Sequence, residues 1–382
     1  MSFKKDVMMI EEGVELQKEE HAIERIDRQR RLFSSFKTDG LSHYLERERK
    51  SVVTDRLVTL NGWSNTYHNT YSQMPLQLFH LLVPNQIEAI TRSGGYWLQI
   101  AGVGIAINPG LGFLERMHKA SYHVWDIDHI IVTDGEKASA SELEKIYSFN
   151  REINGLLQQW ELEPHIISYH LHPKAYEQYA VRLRPTSRQE ISTVHCLETF
   201  SLLPETVELS ENVSLDFCTS TPSRSSSLMI RIRRHTEGQE LNRIGFLTNS
   251  PSHDSQVDFF EDCQTLILGI GKTSFEEESH SLGYEGVIKL IDRENGPKSV
   301  ILAEQDFSEG DTRLEVLHYI YEQLSTEYPS LLPAEEGMTL HLDTLQVTTP
   351  SLQTPTPVSA IKIIRSQGPF SNLSFLDGYG IL

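Results

Sequence analysis

Asp126-Ile127-Asp128-His129-Ile130-Ile131-Val132-Thr133-Asp134-Gly135-Glu136-Lys137-Ala138-Ser139 is the stretch on which the reading of this chain turns. The apolar run His129-Ile130-Ile131-Val132 has the pattern of a buried strand, too short and too β-branched for a helix. Asp134-Gly135 has turn chemistry. From Ser141 to Leu157 the apolar residues Leu143, Ile146, Phe149, Ile153 and Leu156 recur at helical spacing. Strand, loop and helix therefore follow one another directly. The loop between them contains no histidine.

Further strands and helices extend the pattern in both directions. Arg56-Leu57-Val58-Thr59-Leu60, Gly94 to Ile100 and Gly104 to Ile107 read as strands, and Asn61-Gly62-Trp63-Ser64 as a turn. Asn108-Pro109-Gly110 ends the third strand, and a short helix is predicted to Lys119 with Phe113, Leu114 and Met117 on one face. Ile166 to Tyr169, Val207 to Phe217, Leu228 to Arg233, Arg243 to Thr248, Thr265 to Ile270 and Ser299 to Leu302 also read as strands. Helices are predicted at Lys174–Ala180, Gly286–Asp292 and Thr312–Leu324. Both halves share a strands-then-helix rhythm, which suggests an αββα sandwich. Residues 1–50 read as a charged helical arm, 51–330 as the main domain, and 331–382 as a C-terminal strand and tail.

This order resembles the metallo-β-lactamase fold superfamily, in particular its ribonuclease Z-like branch. The likeness is carried by Gly94-Gly95-Tyr96-Trp97-Leu98, Ile105-Ala106-Ile107-Asn108-Pro109-Gly110, Asp126 to Thr133, Ile244-Gly245-Phe246-Leu247-Thr248, Leu282 to Ile288, and Ser299-Val300-Ile301-Leu302. It implies an α+β, four-layer αβ/βα sandwich spanning about Leu57 to Leu324. The chemistry implied is two-zinc hydrolysis, with a hydroxide held between the ions.

The resemblance also assigns the ligand positions. The family's His-x-His-x-Asp-His run begins after the threonine of the Asp126–Thr133 segment. Here Asp134 and Glu136 stand at the first two histidines, Ala138 at the aspartate and Ser139 at the last histidine. The next histidine belongs before the Leu228 strand, where Cys218-Thr219-Ser220-Thr221-Pro222-Ser223 has none. Asn249 replaces the bridging aspartate and Glu304 the final histidine, while Asn108 replaces the aspartate of Asp-Pro-Gly. Alanine has no donor atom, and a neutral amide cannot bridge two cations as a carboxylate does. The expectation is a degenerate member with no catalytic residues, no zinc pair and no other cofactor. Asp134, Glu136 and Glu304 remain as a carboxylate trio able to take one hard cation such as magnesium, calcium or manganese.

Other signals are weaker. His170-Leu171-His172, with His165 nearby, reads as a histidine pair away from the metal end. His253 and His280 have no partners at a recognisable spacing. Gly269-Ile270-Gly271-Lys272-Thr273 fails as a phosphate loop because Ile267 stands where the first glycine belongs. Cys196, Cys218 and Cys263 form no paired motif, which fits a reducing compartment.

The formal net charge of −19 over 382 residues counts against a nucleic-acid partner. Its main basic cluster, Arg231, Arg233 and Arg234, lies in a strand. No apolar run is long enough to span a bilayer, so a cytoplasmic protein with no membrane association is expected. The functional expectation is a scaffold, regulatory or structural subunit. It would assemble with itself or a partner protein through the N-terminal arm or the tail from Met338, and bacterial antiviral defence is one setting. The rivals are a hydrolase, phosphodiesterase or nuclease, built on the carboxylate trio, and a small-molecule or nucleotide sensor using the emptied cleft.

Overall fold

The structure is a computed structural model that describes residues 55–60, 95–159, 161–184, 191–199, 203–221, 227–236, 239–271, 282–305, 313–324, 329–349, 355–357, 361–363 and 379–381. The N-terminal arm, the Asn61–Ser64 turn and His280 lie outside these residues. All described residues belong to one unit, Val53–Leu382.

Two sheets face each other. The first runs in the order β16 (Thr356–Pro357), β15 (Gln346–Thr348), β14 (Thr339–His341), β1 (Arg56–Thr59), β2 (Tyr96–Ile100), β3 (Val103–Ile107), β4 (His129–Val132), β5 (Ile167–Leu171) and β6 (Ser192–Cys196). The second runs β13 (Ser330–Pro333), β12 (Ser299–Gln305), β11 (Thr265–Gly271), β10 (Gln239–Leu247), β9 (Leu228–Thr236), β8 (Val213–Thr219) and β7 (Glu205–Ser210). A separate antiparallel pair joins β17 (Ile361–Ile363) to β18 (Tyr379–Ile381). The helices are α1 (Phe113–Lys119), α2 (Lys137–Ala140), α3 (Leu143–Gln159), α4 (Pro173–Leu183), α5 (Ser255–Phe259), α6 (Gly283–Ile291) and α7 (Arg313–Gln323).

Period-two alternation divides the first sheet between two cores. Ile105, Ile107 and Ile131 point between the sheets and join Ile230, Ile232, Ile244 and Phe246 of the second sheet. Ala106, Ile130 and Val132 point the other way and pack on Phe113 and Met117 of α1 and Leu143 and Ile146 of α3. Val287 and Leu290 of α6 and Val316, Leu317 and Ile320 of α7 cover the second sheet. The result is the helix–sheet–sheet–helix sandwich that the sequence implied. Fully burying each of these aliphatic side chains stabilises the fold by roughly 1.5–3 kcal/mol.

The segment Val207–Phe217, read as one alternating strand, is a hairpin of β7 and β8. Its turn at Glu211–Asn212 is a polar break in an otherwise regular alternation. The strands after residue 330 complete both sheets. β13 pairs in parallel with β12, and β14 pairs with β1, whose Thr59 hydroxyl donates to the Glu335 and Met338 carbonyls. The helix read at Gly286–Asp292 begins earlier, at Gly283.

Candidate functional site

Parallel pairing carries the candidate residues to one end of the sandwich. β3 and β4 run parallel, as do β10, β11 and β12, so Asn108, Thr133, Thr248, Gly269 and Glu304 all lie at or just beyond the carboxyl ends of these strands. The two sheets are tied together there. The Leu228 amide donates to the Thr133 carbonyl at 2.6 Å, joining the start of β9 to the end of β4.

Asn108 is the centre of this seam. Its Oδ1 accepts from the Thr133 amide at 2.8 Å and from the Thr133 hydroxyl at 3.2 Å. Its Nδ2 lies 2.8 Å from Thr133 Oγ1 and 3.3 Å from Thr248 Oγ1, and the two threonine hydroxyls are 3.3 Å apart. The amide is thus both donor and acceptor in one buried cluster that spans both sheets, a role that a carboxylate, having no donor, does not fill. Gly95 allows the approach. It has φ +68, and a Cβ there would stand 2.2 Å from the Asn108 carbonyl oxygen.

The Asp134–Ser139 loop closes on itself. Asp134, buried at 4% exposure, accepts the Glu136 amide at 2.8 Å with one carboxylate oxygen and the Ser139 hydroxyl at 2.9 Å with the other. These contacts form a polar turn leading into α2. Glu136 is exposed, and Ala138 is a helical position in α2.

On the opposite sheet, Ser227 Oγ donates to the Asn249 carbonyl at 2.9 Å, and the Asn249 side chain lies at the surface. Glu304 folds back over Gly269, where a Cβ would come 2.9 Å from Oε2. The Tyr96 hydroxyl reaches Glu304 Oε1 at 3.5 Å. Burial, then the adjacent carboxylate, pushes the Tyr96 phenol well above its ordinary range, so it stays neutral and donates.

Asn108, Asn249 and Glu304 share left-handed backbone, with φ 49, 50 and 55. Asparagine tolerates that conformation, whereas an ordinary side chain such as glutamate loses roughly 1–2 kcal/mol in it. Three such residues at equivalent strand ends mark a tightly specified rim.

Of the three carboxylates, Asp134 is engaged by its own loop, Glu136 is exposed and Glu304 lies beside Tyr96. Among the described residues no group of three His, Cys, Asp or Glu side chains could hold a metal ion. Sequence reasoning missed Tyr96, Thr133, Thr248 and Ser227 as parts of the site. A signal was present in the threonines that end both Ile130-Ile131-Val132-Thr133 and Gly245-Phe246-Leu247-Thr248.

One placement is corrected. His172 is not away from this end. β5 runs parallel to β4, and the His172 amide donates to the Val132 carbonyl at 2.9 Å, one strand from Thr133. Its ring caps α4 by accepting from the Lys174 amide at 3.2 Å. His253 is likewise local, with Nδ1 2.8 Å from Ser255 Oγ. Burial pushes the Cys218 and Cys263 thiols up to about 12, so neither is a nucleophile near neutrality. The Arg231–Arg234 cluster is neutralised: Asp216 binds Arg231 and Arg233, and Asp55 and Asp343 bind Arg234. No helix among the described residues is long and apolar enough to cross a membrane.

This is the metallo-β-lactamase fold. The metallo-β-lactamase fold protein YhfI from Bacillus subtilis superposes with a TM-score of 0.53 at 11% identity, over 75% of this chain and 99% of that one. Human tRNase Z, short form, matches at 0.42 and 11% identity over 75% and 99% of the two chains. The long-form RNase Z from yeast matches at 0.45 and 12% over 78% and 43%. No protein-family model and no curated relative matches the sequence.

The fold brings with it the expectation of a zinc pair, and the residues present do not fit one. Ala138 has no ligating atom, and Asn249 is a neutral amide at the surface. Both Asp134 oxygens are engaged by protein donors.

Proposed function

We propose that this protein has lost the two-metal hydrolytic chemistry of its fold and acts as a scaffold, regulatory or structural subunit, with itself or with a partner protein. One observation carries the reading: ligand positions hold side chains that other protein groups engage, or that have no donor atom. Asp134 binds Ser139, Glu304 meets Tyr96, and Ala138 lacks a donor. The Asn108 seam supports it further, because it braces the two sheets at the end where the reaction would otherwise take place. Fold alone carries no activity. Bacterial antiviral defence is one setting in which such a subunit would serve.

The test is a hydrolase screen on the full chain, with phosphodiester and single-stranded RNA substrates in zinc, manganese and magnesium, beside light scattering for assembly state. The expected outcome is no turnover with any metal, together with a defined oligomer or a stoichiometric protein complex. Turnover abolished by Asp134→Ala would overturn the reading in favour of a carboxylate-based hydrolase.

A second reading has its own support. The left-handed Glu304 is a strained residue at the rim of strand ends, and such residues cluster at ligand clamps. A small-molecule sensor would be stabilised by its ligand, so a nucleotide that raises the melting temperature of wild type but not of Glu304→Gly selects this role.

A further inference from the structure

Among the described residues the two large sheets end in four edge strands, and three of these are guarded. β16 is two residues long and ends in Pro357, β13 ends in Pro333, and β7 carries the exposed Glu205 and Glu208. Brevity, proline and charge are devices that keep an edge from pairing. β6 has none of them. It reads Ser192-Thr193-Val194-His195-Cys196, with no proline, lysine, arginine or carboxylate. No described strand pairs with its outer side.

The ladder to β5 fixes which groups that edge presents. The Ile167 amide donates to the Ile191 carbonyl at 3.2 Å, and the Leu197 amide to the Leu171 carbonyl at 2.8 Å. Alternate residues of a strand turn both backbone groups to the same neighbour, so Thr193 and His195 bond β5. Ser192, Val194 and Cys196 therefore turn their N–H and C=O outward. An identical strand, antiparallel about Val194, satisfies all three. Val194 pairs with its own copy, and Ser192 pairs with Cys196 in both directions. Thr193 then stands opposite His195, so no like charges are opposed.

α4 supplies complementary charge above this edge. It is the crossover between parallel β5 and β6, so it runs antiparallel to both, and the Ser192 hydroxyl donates to its Leu183 carbonyl at 2.6 Å. From the rise of strand and helix, Val194 lies beside the middle of residues 177–184. Arg182 turns to α3, where it binds Glu144. At about 100° per residue, the exposed Glu177 and Arg184 fall on the opposite flank of α4, the one over the free edge. The twofold axis that pairs β6 with its copy thus sets Glu177 of each chain against Arg184 of the other.

We infer that β6 is the interface between two copies of this chain, joined edge to edge into one continuous sheet with their α4 helices side by side. This rests on the subunit reading above and gives its self-assembly a surface. Turnover tests that reading and association state tests this one, so the two fail separately.

Light scattering on the full chain between about 1 and 100 µM is the test. Wild type is expected to reach the mass of two chains. Val194→Pro removes an outward N–H and leaves the ladder to β5 intact, so it should keep the mass of one chain. Amide exchange should show Ser192, Val194 and Cys196 gaining protection with concentration, while Thr193 and His195 are protected throughout. A wild type of one-chain mass at every concentration would overturn the inference, as would a dimer that Val194→Pro leaves intact. Protected Val194 and Cys196 amides in a monomer would give the edge to a segment of the same chain and equally refute the second copy. If Val194→Pro does not fold, a charge swap on the surface of α4 decides. Glu177→Arg should weaken association by about tenfold, and adding Arg184→Glu should restore it. No change in either variant refutes the pairing.

Discussion

Asn108 and Asn249 are both asparagines at strand ends with left-handed backbone, yet they hold opposite roles. Asn108 is 5% exposed and satisfies the Thr133 amide and two hydroxyls. Asn108→Ala leaves the Thr133 amide buried without its acceptor and the two hydroxyls with only each other, so a loss of about 2–4 kcal/mol is expected in urea unfolding. Asn249 engages Ser227 through its carbonyl, which any residue supplies. Asn249→Gly should therefore be neutral or stabilise by up to about 1 kcal/mol, by relief of the left-handed backbone. A large loss there would mean that the side chain has a partner which the strand-end geometry does not reveal. The sequence disclosed the absence of histidines at the ligand positions, because absence needs no geometry. It did not disclose where Asp134 or Glu304 points. Asp134 folds onto Ser139, a contact that looks like ordinary turn chemistry in one dimension, and Glu304 meets Tyr96 only across the sandwich.

Strands were legible wherever one face was apolar and the other was not, as in Ile105-Ala106-Ile107. The order of the parallel strands was not, since it depends on contacts far apart in the chain. For that reason His172 was placed at the wrong end and the row of His129, His170 and His195 went unseen. The row has a consequence for global stability. Burial first, then His129 and His195, lowers His170 from 6.5 to about 3, and burial also lowers His129. Unfolded histidines take up protons from about pH 6.5 downward, while His170 stays neutral in the fold until about pH 3. The unfolded state then binds more protons, so stability rises with pH and its gain is complete above about 6.5. Between about pH 6 and 4, His170 alone should contribute a slope of about 1.4 kcal/mol per pH unit. Urea midpoints across that window should flatten in His170→Gln, and an unchanged slope would assign the acid sensitivity elsewhere. A second element-level constraint lies under α3. Asn154 bonds the His165 amide and carbonyl, and Asn150 the His165 and Ile191 carbonyls. Asn154→Ala should cost about 2–3 kcal/mol in the same assay.

At the scale of the molecule, the sandwich, its two cores and its single rim of strand ends follow from hydrophobic alternation and parallel pairing. The fold is the metallo-β-lactamase fold, and its rim of strand ends is braced by the Asn108 seam. Under the proposed function, loss of the metal-binding groups and the Asn108 seam are two sides of one account. It predicts that the chain gains nothing from zinc. Elemental analysis of full-length protein, purified from zinc-replete culture without chelators, is the most direct test. The account predicts zinc far below one equivalent and a melting temperature unmoved by EDTA. Two tightly held equivalents, lost on Asp134→Ala or Glu304→Ala, would contradict it.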